Sequence, residues 1–484
     1  MSEPKKTESF AGNVMKYSIA TYLGFGISGA ALIIKGVLPA ESYAVPASFM
    51  AYTMSLMNVG MLGLDQSLLR FYHEPPAGST GRSMFAACTR LSVLVMLLAG
   101  SIFFAKPLAA AFGLGANGAG LVPFLFLNAA LYMLVRYLNV LLRLENNVRA
   151  YTTETLWMQA CLNLIYLLPG FVTQDARAFV LGAVCSFAGV AVFYWRRASK
   201  GQTKEAPVRG LRPYAHIYRA ALPYGIVLAP AAILIPLYRA ICLSFLGNYA
   251  PAAEQGSFDF AYTLAQLVTT IQAGFSTYWG PYVYAHYREE QERIGRVHDV
   301  LNLLIFGFFC LLVMFEDIIF IIFPAKSACL PYFPLMMLAV VFSILCEGTV
   351  YGNTIARKPF QDTIGTAVGV AANIAVCAVL VPRFGVMGAA VGLVAANATM
   401  FLYRTVTGQY YYRTIPSFSR TICGFLLAVG VAMIGVVFAH NFIIKFVLTA
   451  AILFIYCNIY RAQLYKLWQI FMGFVRRYLL HSQA

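Results

Sequence analysis

Basic side chains inside apolar segments are the residues of this chain with the clearest chemical potential. Arg136 and Arg239 lie deepest in such segments, while Lys35 and Arg90 lie nearer to segment ends. A charged residue within a membrane span costs about 2.5–3.5 kcal/mol on insertion scales, so each needs a compensating role. Fixed cations attract anions, and an arginine guanidinium can hold a phosphate through two hydrogen bonds. We therefore predict that these bases bind an anion in a cavity; the alternative is that they pair with local acids or extend to the membrane surface.

Acids in or beside the same segments form a second set. They are Asp65, Glu154, Asp259, Glu316, Asp317 and Glu347. Coupling to H⁺ or Na⁺ needs a carboxylate that changes its charge or its ligands, and Glu347 is the best candidate because it lies well inside a segment. Asp259 could pair with Arg239, whereas Glu316 and Asp317 are adjacent on a helix and should not face one direction. For each acid the alternative is a structural salt bridge.

A third set could govern movement. Asp65 and Arg70, at the end of the second apolar segment, are candidates for a gate latch, with an interfacial anchor as the alternative. Proline removes a backbone hydrogen bond and kinks a helix, and glycine permits either bending or close helix packing. The predicted hinge residues are Pro223, Pro230 and Pro236 in the seventh apolar segment and Gly24, Gly26 and Gly29 in the first.

The segments that carry these residues are predicted to cross a membrane. The chain has 484 residues, of which 60% are apolar and 11% charged, whereas soluble domains are about a quarter charged. This composition excludes a soluble multidomain enzyme, a disordered protein and a disulfide-stapled secreted module. We predict an all-α polytopic membrane protein with fourteen transmembrane helices. They are residues 14–37, 43–64, 84–105, 121–142, 153–172, 177–197, 218–245, 257–281, 299–323, 329–353, 363–382, 386–407, 419–439 and 443–463.

The net charge of +16 indicates orientation rather than a nucleic-acid partner. Cytoplasmic loops of membrane proteins are enriched in lysine and arginine. With the N-terminus in the cytoplasm, most of the 35 basic residues fall on the cytoplasmic side of the fourteen spans. The sequence therefore predicts a multi-pass protein of the cell membrane with both termini in the cytoplasm.

The order of the spans predicts two lobes and three smaller parts. We expect an N-lobe at 1–197, a cytoplasmic linker at 198–217, a C-lobe at 218–407, two extra helices at 408–463 and a cytoplasmic tail at 464–484. The tail has an apolar stripe that favours an amphipathic helix on the membrane surface, or else a continuation of the last span.

Weak matches between the lobes predict a parallel repeat. The sequence AYTM at 51–54 matches AYTL at 261–264, and Asn163 and Asn373 have the same offset. An offset of six helices is even, so the two six-helix lobes would insert the same way up, related by a pseudo-two-fold axis along the membrane normal.

Enzyme chemistry is not predicted. The chain has no Gly-rich phosphate loop, no H-E-x-x-H and no G-x-S-x-G. Its ten cysteines are scattered through apolar segments without a C-x-x-C pair, which favours packing over a metal or redox site. We expect no metal and no cofactor, apart from possible coupling to an H⁺ or Na⁺ gradient.

Three motifs are specific in combination: GLDQSLLRFY at 63–72, FSTYWGPY at 275–282, and Asn373 followed by PRFG at 382–385 and GAA at 388–390. In these motifs, and over about residues 14–460, the chain resembles the polysaccharide flippases of the multidrug/oligosaccharidyl-lipid/polysaccharide exporter superfamily. The resemblance implies two lobes around a central cavity and the transfer of a polyprenyl-(pyro)phosphate-linked oligosaccharide from the cytoplasmic to the outer leaflet. The subfamily that flips lipid II is less similar, because its arginine-rich first helix is not found.

Two other functions remain open at this stage. A cation-coupled drug antiporter of the same superfamily would typically have acids in the N-lobe and twelve helices, whereas the first helix here has neither Asp nor Glu. A non-transporting scaffold for glycan-assembly enzymes is the other alternative. The partners expected for a flippase are the lipid-linked glycan, membrane lipids, and possible polymerase and glycosyltransferase enzymes.

Overall fold

A computed structural model describes residues 10–472 except 103–104, 115–117, 146, 200–211, 357, 359, 466–467 and 470–471. All regular structure in these residues is helical. The α-helices are α1 (Phe10–Val37), α2 (Ala44–Met61), α3 (Leu64–Phe71), α4 (Gly81–Ile102), α5 (Ala105–Ala111), α6 (Val122–Leu144), α7 (Val148–Ala160), α8 (Leu167–Thr173), α9 (Ala176–Ser199), α10 (Ala215–Tyr249), α11 (Ala252–His286), α12 (Gln291–Ile322), α13 (Phe333–Glu347), α14 (Tyr351–Ile355), α15 (Phe360–Tyr411), α16 (Phe418–Val437) and α17 (Phe442–Ile459).

The helices have the length and composition of membrane spans. In the described residues, ten are long and apolar enough to cross a bilayer, or eleven if the bent pair of α2 and α3 forms one span. Helices dominate because the bilayer core offers no water to satisfy exposed backbone groups. Each of the fourteen predicted segments is largely helical, although those at 43–64, 153–172 and 329–353 each include more than one helix. The predicted all-α, multi-pass membrane architecture is confirmed.

The second predicted span is broken where the GLDQSLLRFY motif begins. Leu62 and Gly63 have φ of 50° and 69°, and α3 is bent by 54° from α2. A β-carbon at Gly63 would lie 2.1 Å from the carbonyl oxygen of Gly225 in α10. Position 63 therefore requires glycine for two reasons: the left-handed backbone conformation and the close approach of α3 to α10.

A second break divides α15 into the two spans predicted at 363–382 and 386–407. Gly385 has φ 52° and ψ −128°, three residues after Pro382. The Glu254 carboxylate, near the start of α11, accepts the main-chain N–H of Val386 at 2.8 Å. The PRFG motif thus turns the chain, and an acid satisfies the N–H that the break releases.

The predicted hinge residues lie in two different settings. Pro223, Pro230 and Pro236 are all inside α10, which remains helical over 35 residues. In α1, no described atom lies within 4 Å of a β-carbon built at Gly26 or Gly29. Close packing against a described neighbour therefore does not explain these two glycines, and the hinge role stays a prediction for both helices.

The chain divides into two compact units. Unit 1 is Met1–Tyr278 with Asp362–Ala396, and unit 2 is Trp279–Gln361 with Asn397–Ala484. These bounds differ from the predicted lobes, which rest on span order and stay a prediction together with their pseudo-two-fold relation. Most of the predicted linker and most of the predicted tail lie outside the described residues.

Within unit 2, α12 packs against α13, α16 and α17. The ammonium of Lys445 in α17 lies 2.9 Å from the Glu316 carboxylate and 2.5 Å from that of Asp317, both in α12. Side chains at adjacent helix positions point about 100° apart, so we expect Glu316 and Asp317 to face in different directions. The lysine ammonium lies between the two side chains and contacts both.

Candidate functional site

Three helices of unit 1 bring two bases and one acid together. Lys35, in the last turn of α1, places its ammonium 2.6 Å from Oδ2 of Asp259 in α11. Arg239 of α10 forms an ion pair with the other carboxylate oxygen of Asp259. The lysine also donates to the Thr263 hydroxyl at 3.0 Å, one turn further along α11. Asp259 therefore joins α1 to α10 and α11.

The charges of this triad do not cancel. Asp259 is fully buried, and the Lys35 and Arg239 side chains are 5% and 16% exposed. Two bases share one carboxylate, which leaves one positive charge in excess. In addition, the Arg239 Nε has no hydrogen-bond partner among the described residues. A buried N–H donor without a partner is costly, so the triad is suited to receive an anionic acceptor.

The triad lies at a cavity of about 280 Å³. Among the described residues, the ionised side chains in its lining are those of Lys35 and Arg239, and the other described lining residues are mainly polar, aromatic or thioether. The other lining residues are Ser28, Met50, Met54, Tyr132, Gln159, Leu162, Asn163, Tyr166, Tyr262, Thr263, Gln266 and Leu267. The cavity thus combines fixed positive charge with amide and hydroxyl groups that can donate or accept hydrogen bonds.

A local irregularity brings amide groups to the cavity wall. After α7 the chain forms one π-helical turn at Cys161–Ile165, which contains the lining residues Leu162 and Asn163. The Asn163 amide donates to the carbonyl and side-chain oxygens of Gln159 at 3.0 and 3.1 Å. Such turns occur often at functional sites, because they rotate a side chain out of the regular helical register.

Other contacts hold Arg239 in place. The Asn373 amide of α15 donates to the main-chain carbonyl of Tyr238 at 2.8 Å, and the Tyr238 hydroxyl donates to the carbonyl of Thr366 at 3.0 Å. The Arg239 guanidinium lies 5.0 Å from the centre of the Tyr262 ring, a cation–π contact. Asn373, singled out by the repeat, thus fixes the backbone beside the arginine.

The other two predicted anion-binding bases lie elsewhere in unit 1. Arg136 is half-buried on α6, one turn after the lining residue Tyr132, and its charge acts on the buried Glu154. Arg90 of α4 donates to the Tyr214 hydroxyl at 3.1 Å. Neither base is among the described residues that line the cavity. Their binding role stays a prediction.

The predicted gate residues do not pair with each other. Arg70 forms an exposed ion pair with Glu74 at 3.0 Å, and Asp65 accepts from the Gln66 amide at 2.8 Å. Glu347, the predicted coupling acid, is the last residue of α13, and its side chain lies outside the described part. In the described residues, no group of three or more His, Cys, Asp or Glu side chains could hold a metal ion.

Several lining residues were not predicted as site residues. Met54, Tyr262 and Thr263 belong to the AYTM and AYTL segments that revealed the repeat, and Tyr166 and Gln266 were not singled out at all. The repeated segments were therefore a usable signal. Neutral side chains in a span give little other indication in one sequence, because they resemble ordinary packing residues.

Comparison with known proteins defines the fold. No protein-family model and no curated protein sequence matches the chain. A structure of the lipid II flippase MurJ in its inward closed conformation aligns with a TM-score of 0.61 and 13% identity, over 93% of this chain and 100% of that chain. An inward-facing multidrug resistance MATE family transporter of the MOP superfamily aligns with a TM-score of 0.48 and 14% identity, over 81% of this chain and 97% of that chain.

The likeness to the lipid II flippase shows that this chain has a flippase-type fold, as its resemblance to polysaccharide flippases implies. At 13% identity it shows the fold alone. The sequence placed the lipid II subfamily further away, whereas the fold of a lipid II flippase covers this chain almost completely. The chain is thus a multi-pass membrane protein with a fold found in a membrane transporter.

Proposed function

We propose that this protein is a flippase that moves a polyprenyl-(pyro)phosphate-linked oligosaccharide from the cytoplasmic to the outer leaflet by alternating access. The observation that carries the proposal is the Lys35–Asp259–Arg239 triad at a polar cavity. Its excess positive charge and its unpartnered Arg239 Nε favour an anionic phosphate. The export would serve assembly of a cell-surface polysaccharide, beside glycosyltransferases and a polymerase, and the protein itself would not be an enzyme.

The rest of the cavity suits the sugar next to the phosphate. The amides of Gln159, Asn163 and Gln266 can bond sugar hydroxyls, and tyrosine rings such as Tyr262 offer apolar faces. The volume of about 280 Å³ lies below the ~300–1,000 Å³ typical of drug-sized ligands. We therefore assign the cavity to the phosphate and the first sugar, while the polyprenyl chain stays in lipid.

The charge of the cavity favours this function over an antiporter of cationic drugs. A site for cations needs an excess of acid, whereas the described lining has Lys35 and Arg239 as its ionised side chains and a single acid behind them. A scaffold for glycan-assembly enzymes would have no need of buried fixed charge, which is costly within a membrane. Coupling to an H⁺ or Na⁺ gradient is compatible with the proposal but is not required by it.

Reconstitution tests the proposal against both alternatives. The purified protein is incorporated into liposomes with a fluorescent short-chain polyprenyl-pyrophosphate disaccharide, and an impermeant quencher reports which leaflet holds the label. A flippase should equilibrate the label between leaflets faster than protein-free liposomes or liposomes with the boiled protein. A scaffold should leave the rate unchanged, and an antiporter should instead exchange a cationic dye against H⁺ or Na⁺.

A further inference from the structure

The contact between α12 and α17 contains a second charged cluster, which the proposed transport does not use. Glu316 and Lys445 are fully buried, and the Asp317 side chain is 22% exposed. The Lys445 ammonium lies 2.9 Å from Oε1 of Glu316 and 2.5 Å from Oδ2 of Asp317. Two carboxyl groups therefore share one base.

This charge ratio is the reverse of that in the cavity triad. If both acids were ionised, the cluster would carry one uncompensated negative charge, two of its three members being fully buried. An uncompensated buried charge is strongly unfavourable, and a carboxyl group avoids it by keeping a proton. The arrangement is neutral when one of the two carboxyl groups is protonated and the other is paired with Lys445.

Three buried polar atoms on the Glu316, Asp317 and Thr449 side chains have no described hydrogen bond, and that of Asp317, Oδ2, makes only the ion-pair contact with Lys445. Oε1 of Glu316 accepts from Lys445, but Oε2 is buried and has no hydrogen-bond partner among the described residues. The Thr449 hydroxyl is also buried without a described partner, and it lies one helical turn after Lys445 on α17. Buried polar atoms are normally hydrogen-bonded, so this end of the carboxyl group is free to carry a hydrogen.

We infer that Glu316, Asp317 and Lys445 form a proton-binding site that holds one exchangeable proton. The proton enters and leaves through Asp317, the only member of the three with appreciable exposure, and is shared with Glu316 across the lysine. No electron moves, and the site alternates between a neutral cluster and one with a single negative charge. The lysine ammonium, within 3 Å of both acids, disfavours a metal cation in the same place.

The surroundings of the site leave this charge count unchanged. The charged residue of α13 is Glu347, the last residue of that helix. The charged residue of α16 is Arg420, which pairs with Asp299 at 3.2 Å. Lys326 lies in the turn Pro324–Cys329 after α12, and His440 precedes α17. On α17 itself, Tyr456 stacks on Phe306, more than two turns beyond Lys445. The inference does not depend on the proposed transport.

Carbodiimide labelling tests the site in the intact wild-type protein. Dicyclohexylcarbodiimide enters membranes and reacts with a protonated carboxyl group, whose O–H adds across the reagent's C=N bond; rearrangement then leaves a stable N-acylurea that mass spectrometry locates. We expect labelling at Glu316 or Asp317 that falls at least about tenfold between about pH 5 and pH 10, as the shared proton is lost. Asp259, paired with two bases, is the matched carboxyl group that should stay unlabelled.

A variant establishes that the reagent reaches the site. In Lys445→Met both acids lose their base, so both should retain protons and be labelled up to a higher pH. Glu154, a buried carboxyl with one unpartnered oxygen, provides the same check if that variant does not fold. The inference is overturned if wild-type Glu316 and Asp317 stay unlabelled at every pH while either check is labelled, or if their labelling does not change with pH.

Discussion

At the scale of single residues, two buried lysines define two clusters of opposite charge balance. Lys35 shares Asp259 with Arg239, whereas Lys445 is shared by Glu316 and Asp317. The residue types were visible in the sequence, because any charge in an apolar segment is conspicuous. The partners were only partly predictable, since Lys35 and Asp259 are 224 positions apart and the path of the helices decides which charges meet.

Asp259→Asn should be strongly destabilising. The amide keeps the shape of the carboxylate but leaves Lys35 and Arg239 buried without a counter-charge, which should cost about 3–5 kcal/mol of the free energy of unfolding. The matched control is Asp175→Asn, because Asp175 is an exposed loop residue that caps the following backbone through Oδ1. Thermal unfolding in detergent measures both. Equal stability of the two variants would mean that Asp259 does not neutralise the bases.

Lys326 should make stability depend on pH. Burial lowers the pKa of this side chain, in the turn after α12, from 10.5 to about 8. Between pH 8 and pH 10.5 the unfolded chain binds more protons than the folded one. The free energy of unfolding should therefore be up to about 3 kcal/mol higher at the upper end of this window than at pH 8. Unfolding of wild type and Lys326→Met, compared across this window, measures the effect. A constant difference between the two proteins would contradict it.

At the scale of helices, hydrophobic length was predictable and breaks were not. Each of the fourteen predicted segments is largely helical, because about 20 apolar residues are a strong signal. The bends at Gly63 and Gly385 need more than a glycine, since Gly26 and Gly29 lie inside a continuous α1. The first two combine a left-handed φ with a close tertiary contact, with Gly225 and Glu254 respectively.

Gly63→Ala should disrupt the contact of α3 with α10. The added methyl group would meet the Gly225 carbonyl oxygen at 2.1 Å, in addition to the strain of a φ of +69°. Gly78→Ala is the matched control, because Gly78 has φ +78° but no described atom within 4 Å of its β-carbon. We expect about 1–2 kcal/mol of destabilisation for the control and roughly 1–3 kcal/mol more for Gly63→Ala. Thermal unfolding in detergent would show similar losses if the close approach were unimportant.

At the scale of the whole molecule, composition predicted the class of protein and the resemblance predicted its fold. The fold is shared with a lipid II flippase at a TM-score of 0.61 although only 13% of residues are identical. Span order could not predict the compact units, because α10 and α11 as far as Tyr278 belong to the unit that contains α1 to α9. The distribution of basic residues predicts the orientation of the chain in the membrane, and this prediction is separate from that of the fold.

Fusion reporters test that orientation. Green fluorescent protein at the C-terminus should fluoresce, because it folds in the cytoplasm, and alkaline phosphatase at the same place should be inactive. Alkaline phosphatase joined after Asn441, between α16 and α17, should be active, because the positive-inside rule places this turn outside. The reverse pattern at both positions would contradict cytoplasmic termini.

The flipping rate of Arg239→Gln tests the central claim most directly. Arg239 lines the cavity, contributes to its excess charge and has a buried Nε without a described partner, whereas Arg293 is exposed and contacts Glu290 and the Tyr282 ring. A hydrogen bond to a charged group contributes about 1.5–3 kcal/mol. In the liposome assay with the pyrophosphate-linked disaccharide, Arg239→Gln should flip about 10–100-fold more slowly than wild type, and Arg293→Gln should match wild type. If the Arg239→Gln variant is folded and flips the substrate at the wild-type rate, this result would contradict an anion-binding cavity at the triad.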